Sequence, residues 1–317
     1  MPSPFKSLLI FAAIVVAIIL VVVMGSGADD SSTRLASDAP GIVVLDSVSK
    51  TAETFSKPML LPLLQTKEND IANLDDQLKV MHRPIWKFAD GFKVHLDGLL
   101  RAAAGGDIQA RTMLGLNFLH CYNTPADQGA LEVKLEGVYE LNDGGLSADR
   151  ISERYDYCEG VHPQQRAQFF EYLDVAAQDG DVIAQEVIGS ITPEFFMYSQ
   201  GYEKLDREEY IALRDGFMER KIEYLEQAAK NGSIRALIRL SSMNFAQNIG
   251  ADGQVMAFAI NNVVLELTSN NEVYNRFSWF VQRQYEQLSP EDIDRASEIS
   301  DQWLTQININ GTLYPRD

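Results

Sequence analysis

The reactive side chains of this sequence are few and poorly grouped. Its thiols and imidazoles are Cys121 and Cys158, with His82, His95, His120 and His162. None of the histidines falls in an H-x-x-x-H or H-E-x-x-H spacing, which places two imidazoles on one helix face for zinc. His120 adjoins Cys121, yet an oxidised sulfur is lost as a ligand, and two cysteines alone do not make a zinc site. Ser47-Val48-Ser49-Lys50 fits the S-x-x-K pattern of serine acylases, without the S-D-N and K-T-G partners that complete such a site. Glu208-Glu209 and Glu291-Asp292 are acid pairs of the kind glycoside hydrolysis uses, but at helix starts they read as charges that complement the dipole. There is no phosphate-binding glycine loop. Asn231-Gly232-Ser233 matches a glycosylation sequon only because a turn happens to need those residues. No catalytic residue, metal or cofactor is therefore expected.

Aromatic side chains are the better functional lead. Phe195, Phe196 and Tyr198 cluster in one short stretch, and Tyr274, Phe277, Trp279 and Phe280 crowd one segment. One helix face cannot bury all of them. Large aromatics left on a surface are typical anchors for a protein partner; packing between helices is the competing explanation.

Composition bounds what such residues could serve. The chain has 317 residues, 46% of them hydrophobic, with 27 Lys+Arg against 45 Asp+Glu and a net charge of −18. That is enough apolar content for a core and too few cations to hold nucleic acid or anionic lipid. No small-molecule substrate is expected either. Leu8 to Met24 is an unbroken apolar run of about 17 residues, near the lower limit for a membrane span. Lys6 precedes it and Asp29-Asp30 follow, so residues 1–7 are expected in the cytoplasm and the body outside it. The run reads as a retained anchor. Ser26-Gly27-Ala28 offers the alternative of a cleaved signal peptide and a soluble periplasmic body. Residues 25–40 read as a linker. Residues 41–91 read as an N-terminal extension, with Pro58 and Pro62 breaking any long helix there.

A repeat organises the remainder. Three gapless copies share L-x-x-A-A-x-x-G-[DS]-x-x-A-x-x-x-[LI]-[GS]. The first holds Leu99, Ala102, Ala103, Gly106, Ala110, Leu114 and Gly115. The second holds Leu173, Ala176, Ala177, Gly180, Ala184, Ile188 and Gly189. The third holds Leu225, Ala228, Ala229, Gly232, Ala236, Leu240 and Ser241. This is the signature of a helical hairpin. Glycine ends one helix at positive φ, and the Asp or Ser after it caps the next. The alanines, with Gly115, Gly189 and Ser241, are expected to let the two arms approach closely, and the leucines to fill the seam. Asn142-Asp143-Gly144-Gly145 and Ser269-Asn270-Asn271 are turn signals at the same period, splitting two degenerate hairpins. Extra residues around 192–206 interrupt the array, and Ser289-Pro290-Glu291 opens a last helix. The expected fold class is all-α, an array of roughly five hairpins over residues 92–307, ending in a tail at 308–317.

The L-x-x-A-A-x-x-G-[DS]-x-x-A-x-x-x-L-G pattern resembles the SEL-like repeats, relatives of the tetratricopeptide repeat. Phe118 completes the aromatic position in the first copy, whereas Thr192 and Asn244 stand there in the others, and all copies lack the closing Gly-x-Gly. The resemblance covers about half the chain. It implies a curved α/α solenoid that binds proteins as a scaffold, with motif residues that are structural.

Export and repeat together bear on the cysteines. Outside the cytoplasm an even thiol count favours a disulfide. Cys121 and Cys158 each end the second helix of consecutive hairpins, whose side-by-side stacking would bring them within bridging distance. The expected protein is a non-enzymatic periplasmic interaction scaffold at the bacterial inner membrane. A cell-envelope hydrolase or acylase and a peptide- or effector-binding regulator are the alternatives.

Overall fold

A computed structural model describes residues 78–140, 144–247 and 252–316. Residues 1–7, the apolar run 8–24, the linker 25–40 and the S-x-x-K match at Ser47 and Lys50 lie outside the described residues. Among the described residues, no helix is long and apolar enough to cross a membrane.

The described chain is all-α apart from one short strand pair. Helices α1 (Phe92–Ala104) and α2 (Ile108–Cys121) form the first repeat copy, α6 (Phe169–Gln178) and α7 (Val182–Ser190) the second, and α9 (Arg207–Lys230) and α10 (Ile234–Gln247) the third. Between the first and second copies lie α3 (Gln128–Glu140), α4 (Gly144–Cys158) and the single turn α5 (Pro163–Arg166). The short α8 (Pro193–Ser199) fills the stretch after α7. Helices α11 (Gly253–Leu267), α12 (Asn271–Tyr285) and α13 (Pro290–Asn310) complete the body.

Local chemistry sets the hairpin corners. Gly106, Gly180 and Gly232 stand at φ 93, 91 and 77°, where a Cβ is disfavoured. Asp107 and Asp181 then cap α2 and α7, accepting from Ala110 N at 3.1 Å and Ala184 N at 2.7 Å. Ser233 does the same for α10 through Ala236 N at 3.0 Å. Ser289 caps α13 with Pro290 at its first position.

The packing differs from the expected seam in two ways. First, the small residue of each second helix meets the next copy instead of its own hairpin arm. Gly115 of α2 faces Leu173 of α6, and Gly189 of α7 faces Leu225 of α9. These leucines are almost fully buried, while Leu99, which opens the first copy, is only half-buried. In the third copy Ser241 donates to Asn261 of α11, so a polar contact replaces the Gly–Leu contact.

Second, the array is not five hairpins in line. Helix α2 packs directly on α6, and α7 on α9, so the three repeat copies are neighbours in space. The α3–α4 hairpin loops out between the first two copies and touches the array lightly, through α1 and α2. Its sequence explains this: Leu131 is the sole buried hydrophobic of α3, and Val133 and Tyr139 are exposed. A helix with so little apolar face cannot be sandwiched in a core.

Within 308–317, residues 311–315 are held against the body. Helix α13 runs to Asn310, and Thr312–Leu313 pairs in parallel with Lys79–Val80, in register Lys79 with Thr312 and Val80 with Leu313. On its other edge Tyr314 N donates to Gly232 O at 3.0 Å, and Ile234 N donates to Tyr314 O at 3.1 Å. Residues 312–314 are thus wedged between residues 79–81 and the turn of the third repeat. Arg83 secures the wedge, donating to Pro315 O and to both oxygens of Glu186, at 3.1 and 2.7 Å. Glu186 also accepts from Ser233 Oγ at 2.6 Å.

Candidate functional site

Cys121 and Cys158 form a disulfide, with Cα atoms 5.6 Å apart and a sequence separation of 37. They end α2 and α4, so the bridge ties the looped-out hairpin to the array. Arg166, 3% exposed, lies beside it. Its guanidinium donates to the carbonyls of Val161 (2.8 Å), Thr124 (2.8 Å), Cys158 (3.3 Å) and Cys121 (3.4 Å). One buried cation thereby satisfies the free carbonyls at the C-terminal ends of α2 and α4, where the helix dipoles favour positive charge. Burial lowers the pKa of this arginine from its ordinary value.

His120 makes no metal site with Cys121, whose sulfur is in the bridge. Its ring sits edge-on between Trp86 and Tyr157, with centroids 5.2 and 5.5 Å away. Burial, then the Arg154 and Lys87 charges, push its pKa down to about 4. Lys221 is also buried, and its amine donates to Ile191 O at 2.6 Å, capping α7. Burial, then Arg239, lowers its pKa to about 8. Its amine serves this helix-end contact, with the Arg239 and Glu194 charges nearby. No group of three His, Cys, Asp or Glu side chains that could hold a metal occurs among the described residues.

The aromatic candidates divide. Phe196 is buried, stacked on Phe217 at 4.1 Å and tilted against Phe170 at 4.8 Å. Phe195 packs against Tyr122 and Phe169 at 5.5 and 5.8 Å. Phe196 is core, which corrects its reading as a surface anchor, while Phe195 is half-buried against the core's edge; α8 folds back onto α6 and α9. Tyr198 is exposed on the same helix. Tyr274 is exposed near the start of α12 and is not among the residues that line the cleft walled by Trp279.

Trp279 stands in a different setting. It is 52% exposed, and with Phe280 of α12 and Phe245 of α10, itself 55% exposed, it walls a cleft of about 420 Å³. The floor is a buried relay in which Ser241 Oγ donates to Asn261 and Asn261 Nδ2 donates to Gln284 Oε1 at 2.8 Å. Arg276 lies over the Phe280 ring at 5.6 Å and Arg283 over Trp279 at 5.0 Å. The lining contains these two arginines and no carboxylate. The sequence reading singled out Trp279 but missed Phe245, Arg276 and Arg283. The signal was present in charge: α10 and α12 carry four arginines and one glutamate inside a strongly acidic chain.

A second cavity, of about 570 Å³, runs along the other flank of α10. There the segment 83–87 crosses the second helices of the repeats. Asn117 of α2 donates to Trp86 O at 2.9 Å, and Phe88 N donates to Tyr157 Oη at 3.2 Å. The second-helix side therefore already grips one extended stretch of chain by its backbone.

No protein-family model, curated protein or solved structure matches this chain.

Proposed function

We propose that this protein is a non-enzymatic interaction scaffold of the SEL-like repeat kind, an α/α solenoid tethered by residues 8–24 on the periplasmic side of a bacterial inner membrane. The carrying observation is the open cleft between α10 and α12, where Phe245 and Trp279 are half in solvent over a buried polar floor. Exposed aromatics beside arginines, next to a rigid floor, are the composition of binding hot spots. The backbone contacts to residues 83–88 support the same reading, since they hold an extended chain on the second-helix side. The disulfide supports the compartment, because such bridges persist in oxidising surroundings.

Affinity capture from a solubilised envelope fraction tests it, using the wild-type chain and the F245A/W279A variant. A discrete protein held by the wild type and lost by the variant is expected. Capture that ignores the variant would remove the cleft as the binding surface.

A further inference from the structure

We infer that the cleft between α10 and α12 takes an acidic peptide segment, two carboxylates flanking an apolar side chain. This rests on the scaffold reading and adds the chemistry of the partner. The argument begins with charge. The chain carries −18 overall, yet this cleft presents Arg276 and Arg283 with no carboxylate in its lining, and no described acid lies within ion-pair range of either. Two exposed arginines without an acidic partner among the described residues, in an acidic protein, are a local field of opposite sign, and such a field selects an anionic ligand.

Geometry then narrows the ligand. A guanidinium lying over a ring has its face covered, and its in-plane N–H donors remain to fork onto a carboxylate. Here each arginine has a ring beneath it, Phe280 for Arg276 and Trp279 for Arg283. The two arginines are two helical turns apart, roughly 10 Å along the axis. Alternate side chains of an extended peptide share one face, so carboxylates four positions apart lie on one side, ~13 Å apart at ~3.3 Å per residue. The flexible Arg and Glu side chains close the difference from roughly 10 Å, and the apolar side chain midway between the carboxylates enters against Phe245, Trp279 and Phe280.

The test is a fluorescence-anisotropy titration of the full-length, detergent-solubilised chain. The probe is a labelled six-residue peptide, Leu-Phe flanked by two glutamates on each side. The comparison peptide has glutamine in place of every glutamate. Expected results are binding of the acidic peptide, at least tenfold weaker binding of the glutamine peptide, and a loss of at least tenfold in R276Q/R283Q. Binding should also weaken as salt rises. Both arginines are exposed, so the variants are expected to fold, and circular dichroism checks this. R283E serves as a second variant and should abolish binding.

Equal binding of both peptides, indifference to R276Q/R283Q, or binding of neither peptide overturns the acidic specificity. The same holds if the chain self-associates and R283E dissolves the oligomer, because a second copy is then the occupant. None of these results removes the scaffold reading, which stands or falls on the F245A/W279A capture.

Discussion

Gly189 of α7 lies so close to Leu225 of α9 that a Cβ added to the glycine would sit 2.7 Å from Leu225 Cγ. Leu225 is 1% exposed and cannot yield. G189A is therefore expected to lose about 1–3 kcal/mol of stability from overpacking, and G115A a similar amount against Leu173. Gly98 of α1 has open space around its Cβ position, so G98A should gain up to about 1 kcal/mol from helix propensity. Urea denaturation midpoints separate the two. A G189A protein as stable as wild type would show that the repeats do not seat through this contact.

Gly232 and Gly180 both hold positive φ, but they differ in surroundings. A Cβ at Gly180 meets nothing within 4 Å, whereas one at Gly232 would collide with Thr312 O and come within 3.0 Å of Leu313 Cα. G180A should cost about 1 kcal/mol of backbone strain. G232A should cost more and release the C-terminal wedge, read as faster hydrogen exchange at Tyr314 and Ile234.

The disulfide holds α4 where its own contacts are sparse. Reduction, or the C121S/C158S variant, is expected to remove up to about 4 kcal/mol on the chain-entropy estimate for such a loop. The loss should be local: hydrogen exchange would accelerate over 128–158 while α6 to α11 keep their protection. A uniform acceleration along the chain would contradict the looped-out hairpin.

Arg166 is a harder residue to replace. Removing its guanidinium strands several buried carbonyls, and R166Q should lose about 2–4 kcal/mol. R166K should not restore it, because one ammonium cannot span acceptors that a planar fork reaches together. Chemical denaturation of the two variants decides this.

His120 makes stability depend on pH. Its folded-state pKa is about 4 against an ordinary 6.5, so the folded chain holds the ring neutral and the unfolded chain protonates it first. Stability is full above about pH 6.5 and falls as pH drops toward 4. Allowing for partial solvent screening, the loss is about 1–3 kcal/mol. Nε2 is buried without a hydrogen-bond partner among the described residues, so H120F forfeits no bond there. Denaturation at pH 7.5 and 4.5 should show this component in wild type and not in H120F.

What could be read from the sequence was local or covalent. A glycine followed by Asp or Ser stops one helix and starts the next, because the φ of one residue and one side-chain oxygen decide the turn. That makes the corners at 106–107, 180–181 and 232–233, and with them the all-α class, legible. The cysteine pair was legible from thiol count and from both residues lying at second-helix ends. For Phe195 and Phe196 the sequence left two explanations open, surface anchor and packed ring, since composition cannot tell one from the other. Only the fold-back of α8 onto Phe170 and Phe217 does.

The sequence by itself determined where helices begin and end, because those choices depend on a few neighbouring atoms. Tertiary structure alone decided which helices touch. A repeat period cannot reveal that the α3–α4 hairpin lies outside the array, since that follows from comparing its thin apolar face with the better one α6 offers to α2. Nor could it show that Gly115 and Gly189 receive leucines from the next copy, that Thr312–Leu313 closes against Lys79–Val80, or that arginines separated in sequence from Phe245 share one cleft with it. Each of these is a contact between distant residues, set by the total burial the chain can achieve and by no local preference.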